Sequence, residues 1–134
     1  MRKLNILLAD DIDSWLLFNQ ENLQKFLANF DVSYYMFQSA TDAYNFALNF
    51  DEKIDIVLTD LQMESMEKHA GEWLVENLKT IKSTRDAKFI IVSSSYDISF
   101  VADRAGADGF LRKPNYHSNP LSLKYQLEEI LGAL

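Results

Sequence analysis

The stretch IDIVLTD at residues 54–60 has the length of one strand, is rich in branched apolar side chains and ends in an aspartate. It does not alternate between apolar and polar residues, which is typical of a strand buried on both faces of a parallel sheet. Similar apolar runs recur along the chain, and residues between them are apolar at helical spacing. The predicted strands are 4–9, 32–37, 54–59, 89–93 and 109–111. We therefore predict an α/β fold with a five-stranded parallel sheet, doubly wound as (βα)5.

Length and composition narrow the class of protein. The 134 residues are predicted to form a single domain, 1–134. The chain has no cysteine, which excludes disulfides and thiolate metal sites. Its net charge of −7 argues against direct binding to nucleic-acid phosphates. The apolar run 4–9 is too short for a secretory signal or a membrane span, so we expect a cytoplasmic protein with no membrane partner.

Two helix starts can be predicted from local chemistry. Asn119 followed by Pro120 combines a capping side chain with a residue that needs no amide donor, so it predicts the start of the last helix. Ser39 or Thr41 could cap the second helix in the same way.

Polar side chains follow four of the predicted strands at the points where these strands end. Crossover connections keep the strands parallel, so their carboxyl ends lie along one edge of the sheet, where α/β folds bind ligands. The converging residues are Asp10 and Asp11 after the first strand, Asp60 after the third, Ser93 and Ser94 after the fourth, and Lys113 after the fifth. We therefore expect one site in which carboxylates, a hydroxyl group and an ammonium group meet.

Such a set of side chains favours phosphoryl-transfer chemistry. Clustered carboxylates repel one another unless a cation compensates them. A few oxygen ligands, without histidine or cysteine, suit Mg²⁺, which keeps waters and accepts phosphate oxygens. With Mg²⁺ bound, one carboxylate could attack phosphorus and form an acyl phosphate. The lysine and a serine hydroxyl group would offset charge on the phosphoryl oxygens.

Four segments of the chain resemble the conserved blocks of the response-regulator receiver family, in the same order from end to end. They are ILLADD at 6–11, VLTDLQM at 57–63, FIIVSS at 89–94 and GADGFLRKP at 106–114. The resemblance implies the strand order 2-1-3-4-5. It also implies that Asp60 is the phosphoacceptor and that the donor is a sensor histidine kinase or a histidine phosphotransfer protein.

The resemblance further implies how the site works. Asp11 and Asp60 would bind Mg²⁺ directly, together with the backbone carbonyl of Gln62. Asp10 would act mainly through a bound water. Lys113 would pair with the phosphoryl group and with Asp60.

A conformational switch is also implied by the resemblance. The hydroxyl group of Ser93 would move to hydrogen-bond the phosphoryl group, and Phe110, in place of the more frequent tyrosine, would turn inward behind it. The fourth helix, fifth strand and fifth helix would then present a changed face to an unknown downstream protein, or to a second copy of the chain. Three aromatic residues could lie on this face: Phe100, Tyr116 and Tyr125.

The segment after the acceptor departs from the family pattern. The family usually has a proline four residues after the acceptor, where this chain has Glu64. The loop that continues to Gly71 is longer than usual and carries further charged or titratable residues, Glu67, Lys68 and His69. These departures concern kinase docking and the dephosphorylation rate more than the chemistry.

Simpler roles are open for several residues. Asp10 and Asp11 could serve merely as caps of the first helix, with no metal bound. Phe110 could be a core residue without a switching role. Ser94 is the alternative to Ser93 as the switch hydroxyl.

Other function classes are open as well. One is a receiver-like interaction module that works without phosphorylation. Another is a haloacid-dehalogenase-like phosphatase, whose nucleophile follows the first strand in an Asp-x-Asp pattern. Asp11 and Asp13 have that spacing, but Asp60 after the third strand does not fit it. The leading prediction is a signalling domain whose only catalysis is its own phosphorylation and dephosphorylation.

Overall fold

The computed structural model describes residues 1–63 and 69–132. Within these residues, five parallel strands form one sheet in the order β2-β1-β3-β4-β5, which confirms the predicted fold and strand order. The strands are β1 Lys3–Ala9, β2 Asp31–Phe37, β3 Ile56–Asp60, β4 Lys88–Ser93 and β5 Gly109–Arg112. The helices are α1 Asp13–Phe26, α2 Ala40–Asn49, α3 Ala70–Leu78, α4 Ile98–Ala105, α5 Lys113–Ser118 and α6 Leu121–Leu131.

Two apolar clusters cover the two faces of the sheet. Leu7 of β1 belongs to the cluster formed with α2, α3 and α4. Its neighbours Ile6 and Leu8 belong to the cluster formed with α1, α5 and α6. Because successive side chains of a strand point to opposite faces, a strand covered on both faces is apolar at most positions. This explains why the central strands are mostly apolar without alternation, with Asn5 in β1 and Thr59 in β3 as buried polar exceptions. The parallel pairing of the strands places their carboxyl ends at one edge.

The helix starts follow the prediction only in part. Ser39 caps α2, since its Oγ accepts a hydrogen bond from the backbone N–H of Asp42 at 3.1 Å. The last long helix begins at Leu121, and the residue before it, Pro120, makes no side-chain cap. Asn119 instead accepts from the N–H of Ser122 through its backbone carbonyl, at 3.1 Å. The expected capping role of the Asn119 side chain is therefore wrong.

A short helix, α5, lies between β5 and the last helix and was not predicted. It begins at Lys113 and has Pro114 in its first turn, where the missing N–H of proline costs nothing. The predicted fifth helix is therefore α6. None of the helices in the described ranges is both long and apolar enough to span a membrane.

Candidate functional site

The carboxylates of the candidate site stand at the carboxyl ends of two adjacent strands. Asp10 and Asp11 directly follow β1, and Asp60 is the last residue of β3. Because β1 and β3 are parallel neighbours, these ends coincide. One carboxylate oxygen from each of the three residues lies within 4.8 Å of the others. The fold thus brings together the three acidic residues that the sequence pointed to.

Lys113 supplies the cation of this cluster. It is the first residue of α5, immediately after β5. Its Nζ lies 3.0 Å from Oδ1 of Asp60 and 3.7 Å from Oδ2 of Asp10. The same nitrogen lies 4.8 Å from the centre of the Trp15 ring, within the range of a cation–π interaction. Lys113 is therefore held between the carboxylates and an aromatic face.

Burial makes simultaneous ionisation of the carboxylates energetically unfavourable. Asp10 is 0% exposed and Asp60 is 6% exposed. Burial, helped by the negative charge of Asp60, raises the pKa of Asp10 to about 7. Burial also raises the pKa of Asp60, although the charge and hydrogen bond of Lys113 act in the opposite direction. One ammonium group does not compensate the cluster, so a further cation would stabilise its fully ionised form.

The donor set fits Mg²⁺. Oδ1 of Asp10 accepts a hydrogen bond from the backbone N–H of Ile12 at 3.0 Å, which fixes the carboxylate. Oδ2 of Asp10 is buried without a hydrogen-bond partner in the described part of the chain. A buried oxygen of this kind, beside two other carboxylates, suits a hard cation or one of its waters. Gln62, whose backbone carbonyl is the further ligand implied by the family resemblance, follows Asp60 by two residues and is exposed.

The serine pair at the end of β4 divides into a buried and an exposed member. Ser93 is the last residue of β4 and is buried, whereas Ser94 is exposed. Oγ of Ser93 accepts a hydrogen bond from the N–H of Ser95 at 3.0 Å, and its own O–H can still donate. Ser93 belongs to β4, the strand beside β3, whereas Ser94 lies beyond the end of β4, and the choice of Ser93 as switch hydroxyl stays a prediction.

The aromatic residues of the predicted switch face have different positions. Phe110 of β5 is half-buried and packs against the cluster formed with α2, α3 and α4. Phe100 and Tyr125 are 65% and 60% exposed. Tyr116 is 0% exposed, and its ring lies 5.0 Å from that of Phe18 and 5.9 Å from that of Trp15. The expectation that Tyr116 lies on an exposed face is therefore wrong, because α5 turns this ring into the core.

The loop after the acceptor is described only at its two ends. Glu64, Glu67 and Lys68 lie outside the described residues. At the far end, Gly71 approaches the acceptor strand closely: its N–H donates to the carbonyl of Leu61 at 2.8 Å. A Cβ atom at position 71 would overlap the carbonyl oxygen of Asp60 and lie 2.8 Å from Cα of Leu61. Sequence reasoning missed this constraint, whose only signal was a lone glycine near the predicted helix start.

The comparisons with known proteins give solved structures alone, since no protein-family model and no curated protein sequence matches the chain. A response regulator described as putative from Chloroflexus aurantiacus superposes with a TM-score of 0.75 at 22% identity, covering 97% of this chain and 98% of its own. A CheY-like receiver domain protein from Methanospirillum hungatei superposes with a TM-score of 0.70 at 25% identity, covering 96% of this chain and 93% of its own.

A third match contains a metal. The receiver domain of a Pseudomonas aeruginosa sensor histidine kinase superposes with a TM-score of 0.74 at 17% identity, covering 98% of this chain and 99% of its own. That structure has a magnesium ion coordinated in its active-site cleft. The matches span almost the whole chain and agree on one architecture. The chain therefore has the fold of CheY-like response-regulator receiver domains.

Proposed function

We propose that this chain is a receiver domain that accepts a phosphoryl group on Asp60 in a Mg²⁺-dependent reaction. The observation that carries the proposal is the cluster of three carboxylates within 4.8 Å of one another, with Lys113 Nζ 3.0 Å from Asp60. The donor would be a phosphohistidine on a sensor histidine kinase or a histidine phosphotransfer protein. We also propose that the chain works in the cytoplasm, where such a donor would meet it.

The transfer is a displacement at phosphorus. A carboxylate oxygen of Asp60 forms a bond to phosphorus while the phosphorus–nitrogen bond of the donor breaks, and the electron pair stays on the histidine nitrogen. Asp60 must be ionised to attack. Burial raises the pKa of Asp60, and the charge and hydrogen bond of Lys113 favour the ionised form by offsetting part of this effect. Lys113 then pairs with a phosphoryl oxygen of the product.

The acidic residues would hold the metal around this acceptor. Asp11 and Asp60 would bind Mg²⁺ directly with the backbone carbonyl of Gln62, and Asp10 would act through a water. When bound, Mg²⁺ offsets the charge that develops on the transferring phosphoryl oxygens. Asp13, the second acidic residue of the phosphatase-like spacing, is exposed on α1 and accepts a hydrogen bond from Gln38. This position supports Asp60 over Asp11 as the nucleophile.

The switch would run from β4 to β5. Ser93 would hydrogen-bond the phosphoryl group, and Phe110 would move in response. In the sheet, Ser93 pairs with Arg112 and Ile91 pairs with Phe110, so the two switch residues are connected through adjacent strands. The face formed by α4, β5 and α6 would transmit the change to a downstream protein or to a second copy of the chain.

Intact-mass measurement after treatment with acetyl phosphate tests the proposal. We expect one added phosphate with Mg²⁺ and none without it, and none in Asp60→Asn. Asp51→Asn, which neutralises an exposed aspartate outside the site, should be labelled like the wild type. A folded wild-type protein that stays unlabelled with Mg²⁺ would instead favour the interaction module that works without phosphorylation.

A further inference from the structure

A groove lies over the edge strand β5, between α4 and α6. Its volume is about 690 Å³, and it is open to solvent. Gly109 and Phe110 line it from β5, Phe100 from α4 and Gln126 from α6. The missing side chain of Gly109 leaves room for Gln126, since a Cβ atom there would overlap the Gln126 amide. We call this feature the β5 groove.

Exposed aromatic side chains border the β5 groove. Tyr96 is 98% exposed and Phe100 is 65% exposed, and both line it. Tyr125, also largely exposed, lies one turn before the groove residue Glu129 on α6, and therefore on the same side of the helix. Large apolar side chains that are exposed next to one another often mark a binding surface.

The charge that lines the β5 groove is negative. Four of its lining residues are acidic, and within the described ranges none of the lining residues is a lysine or arginine. The acidic residues are Asp97, Asp103, Asp108 and Glu129. Asp108 is partly engaged, because its Oδ2 accepts from the N–H of Phe89 at 2.8 Å.

Two arginines next to the β5 groove offset its negative charge only in part. Arg104 of α4 forms a two-pronged ion pair with Glu72 of α3, in which its NH2 group donates to Oε1 at 2.8 Å. Arg112 donates to the backbone carbonyls of Ser95 and Tyr96 at 3.1 and 3.3 Å. Both guanidinium groups also lie over aromatic rings of the groove, Arg104 5.2 Å from the centre of the Phe100 ring and Arg112 5.9 Å from that of Phe110. Because Glu72 matches the charge of Arg104, the four groove carboxylates outnumber the remaining charge of Arg112, and the rim keeps an excess of negative charge.

We infer that the β5 groove binds a basic amphipathic segment of the downstream partner. Apolar side chains of that segment would enter the groove beside Phe100, and lysine or arginine side chains would meet the acidic rim. A second copy of this chain fits less well, because a two-fold interface sets each face against itself and would oppose the same carboxylates. This inference rests on the proposed function, since it names the kind of partner that the switch face takes.

The β5 groove is connected to the acceptor edge. Phe110 lines the groove, and its strand partner β4 ends at Ser93 beside the acceptor strand. A partner that prefers one position of Phe110 would therefore shift the state of the acceptor site. By reciprocity, phosphorylation would change the affinity for that partner by the same factor.

Binding of a synthetic probe tests the inference. The probe is a fluorescent amphipathic helical peptide with leucine and phenylalanine on one face and lysine on the other, measured by anisotropy. The control probe has glutamate in place of lysine. We expect the basic peptide to bind, the acidic peptide not to bind, and the basic complex to weaken with added salt.

Matched variants separate the groove from the general negative charge of the chain. The double variant Asp103→Asn with Glu129→Gln should lower the affinity for the basic peptide about tenfold. The double variant Glu21→Gln with Asp51→Asn makes the same charge change elsewhere and should lower the affinity less than about twofold. Phe100→Ala should also lower the affinity for the basic peptide about tenfold, whereas Leu17→Ala, at another exposed apolar residue, should leave it unchanged. Equal effects of the two charge pairs would overturn the inference. Self-association of the wild type that Phe100→Ala abolishes would overturn it too, in favour of a dimer.

Acetyl phosphate labelling of the same variants keeps the two proposals apart. The groove variants should still take one phosphate at Asp60. Normal labelling without groove-dependent peptide binding would refute this inference alone. Groove-dependent peptide binding in a folded protein that cannot be labelled would refute the proposed function and leave the docking surface in place.

Discussion

The ammonium nitrogen of Lys113 lies 3.0 Å from Oδ1 of Asp60, although Asp60 ends β3 and Lys113 follows β5, two strands that are not neighbours in the sheet. β4 separates β3 from β5 in the sheet, and Lys113 reaches back from the start of α5 across this strand. The contact places the ammonium group of Lys113 on the carboxylate that ends β3, the middle strand of the sheet. The charge balance of the candidate acceptor therefore depends on how β4 and β5 pack beside β3.

Removal of this ammonium group should slow phosphorylation without abolishing it. Lys113→Met is expected to reduce the rate of labelling by acetyl phosphate about 10- to 100-fold, because a charge-assisted hydrogen bond worth about 1.5–3 kcal/mol is lost. Time-resolved intact-mass measurement gives the rate. Lys82→Met, at an exposed lysine far along the chain, is the control. An unchanged rate in Lys113→Met would rule out its role.

Mg²⁺ binding should depend on pH through Asp10. Because the pKa of Asp10 is raised to about 7, a proton competes with the metal below that pH. We expect about tenfold weaker Mg²⁺ binding at pH 6 than at pH 8 in calorimetric titrations, and a much flatter dependence in Asp10→Asn. A wild-type affinity that is the same at both pH values would contradict this reading.

The same group should affect the stability of the metal-free protein. Between pH 3.8, the ordinary pKa, and about 7, native Asp10 keeps a proton that the unfolded chain releases. The contribution of this group to the free energy of unfolding therefore falls as pH rises through that window. At pH 8, Asp10→Asn should raise the melting temperature of the metal-free protein. A lowered melting temperature would contradict the assigned pKa.

Trp15 should report on the site by fluorescence. Its ring faces the ammonium group of Lys113, whereas Trp73 packs against Tyr44, with 5.4 Å between the ring centres. A change of charge next to Lys113 should therefore alter the emission of Trp15. We expect the response to Mg²⁺ to persist in Trp73→Phe and to disappear in Trp15→Phe. Loss of the response in Trp73→Phe instead would show that the signal comes from the other side of the sheet.

Gly71 should be intolerant of a side chain. A Cβ atom at this position meets backbone atoms of Asp60 and Leu61, which cannot move without shifting the acceptor. Gly71→Ala is expected to cost about 1–3 kcal/mol in chemical denaturation and to slow labelling. Gly109→Ala meets only the flexible end of Gln126, so it should cost less. A larger loss in Gly109→Ala would contradict this comparison.

The fold and the clustering of the acidic residues could be predicted because both follow from one property of the sequence. Strands covered on both faces are mostly apolar and do not alternate with polar residues. Runs such as 54–59, in which Asp55 and Thr59 are the polar exceptions, are therefore recognisable without tertiary information. In a parallel sheet, the residue after each run stands at the same edge. Asp10, Asp60 and Lys113 could therefore be brought together from their positions in the chain alone.

Other features depend on contacts between distant elements and have no local signal. Tyr116 lies in a polar stretch, and only its packing against Trp15 and Phe18 shows that it belongs to the core. Helix α5 lacks an apolar period, so it was not predicted. Trp15 could be expected near the acidic pocket because it follows Asp10 and Asp11 in the chain, but its contact with Lys113 joins the first helix to the end of the fifth strand and appears only in the fold.

Chemical identification of the phosphorylated residue tests the central claim most directly. Borohydride reduces an acyl phosphate to an alcohol, so a phosphorylated aspartate becomes homoserine, which peptide mass mapping locates. After treatment with acetyl phosphate and Mg²⁺ and then borohydride, the account predicts homoserine at position 60, and unmodified aspartate there when Mg²⁺ is left out. Homoserine at position 10 or 11, or none in a folded protein, would contradict it.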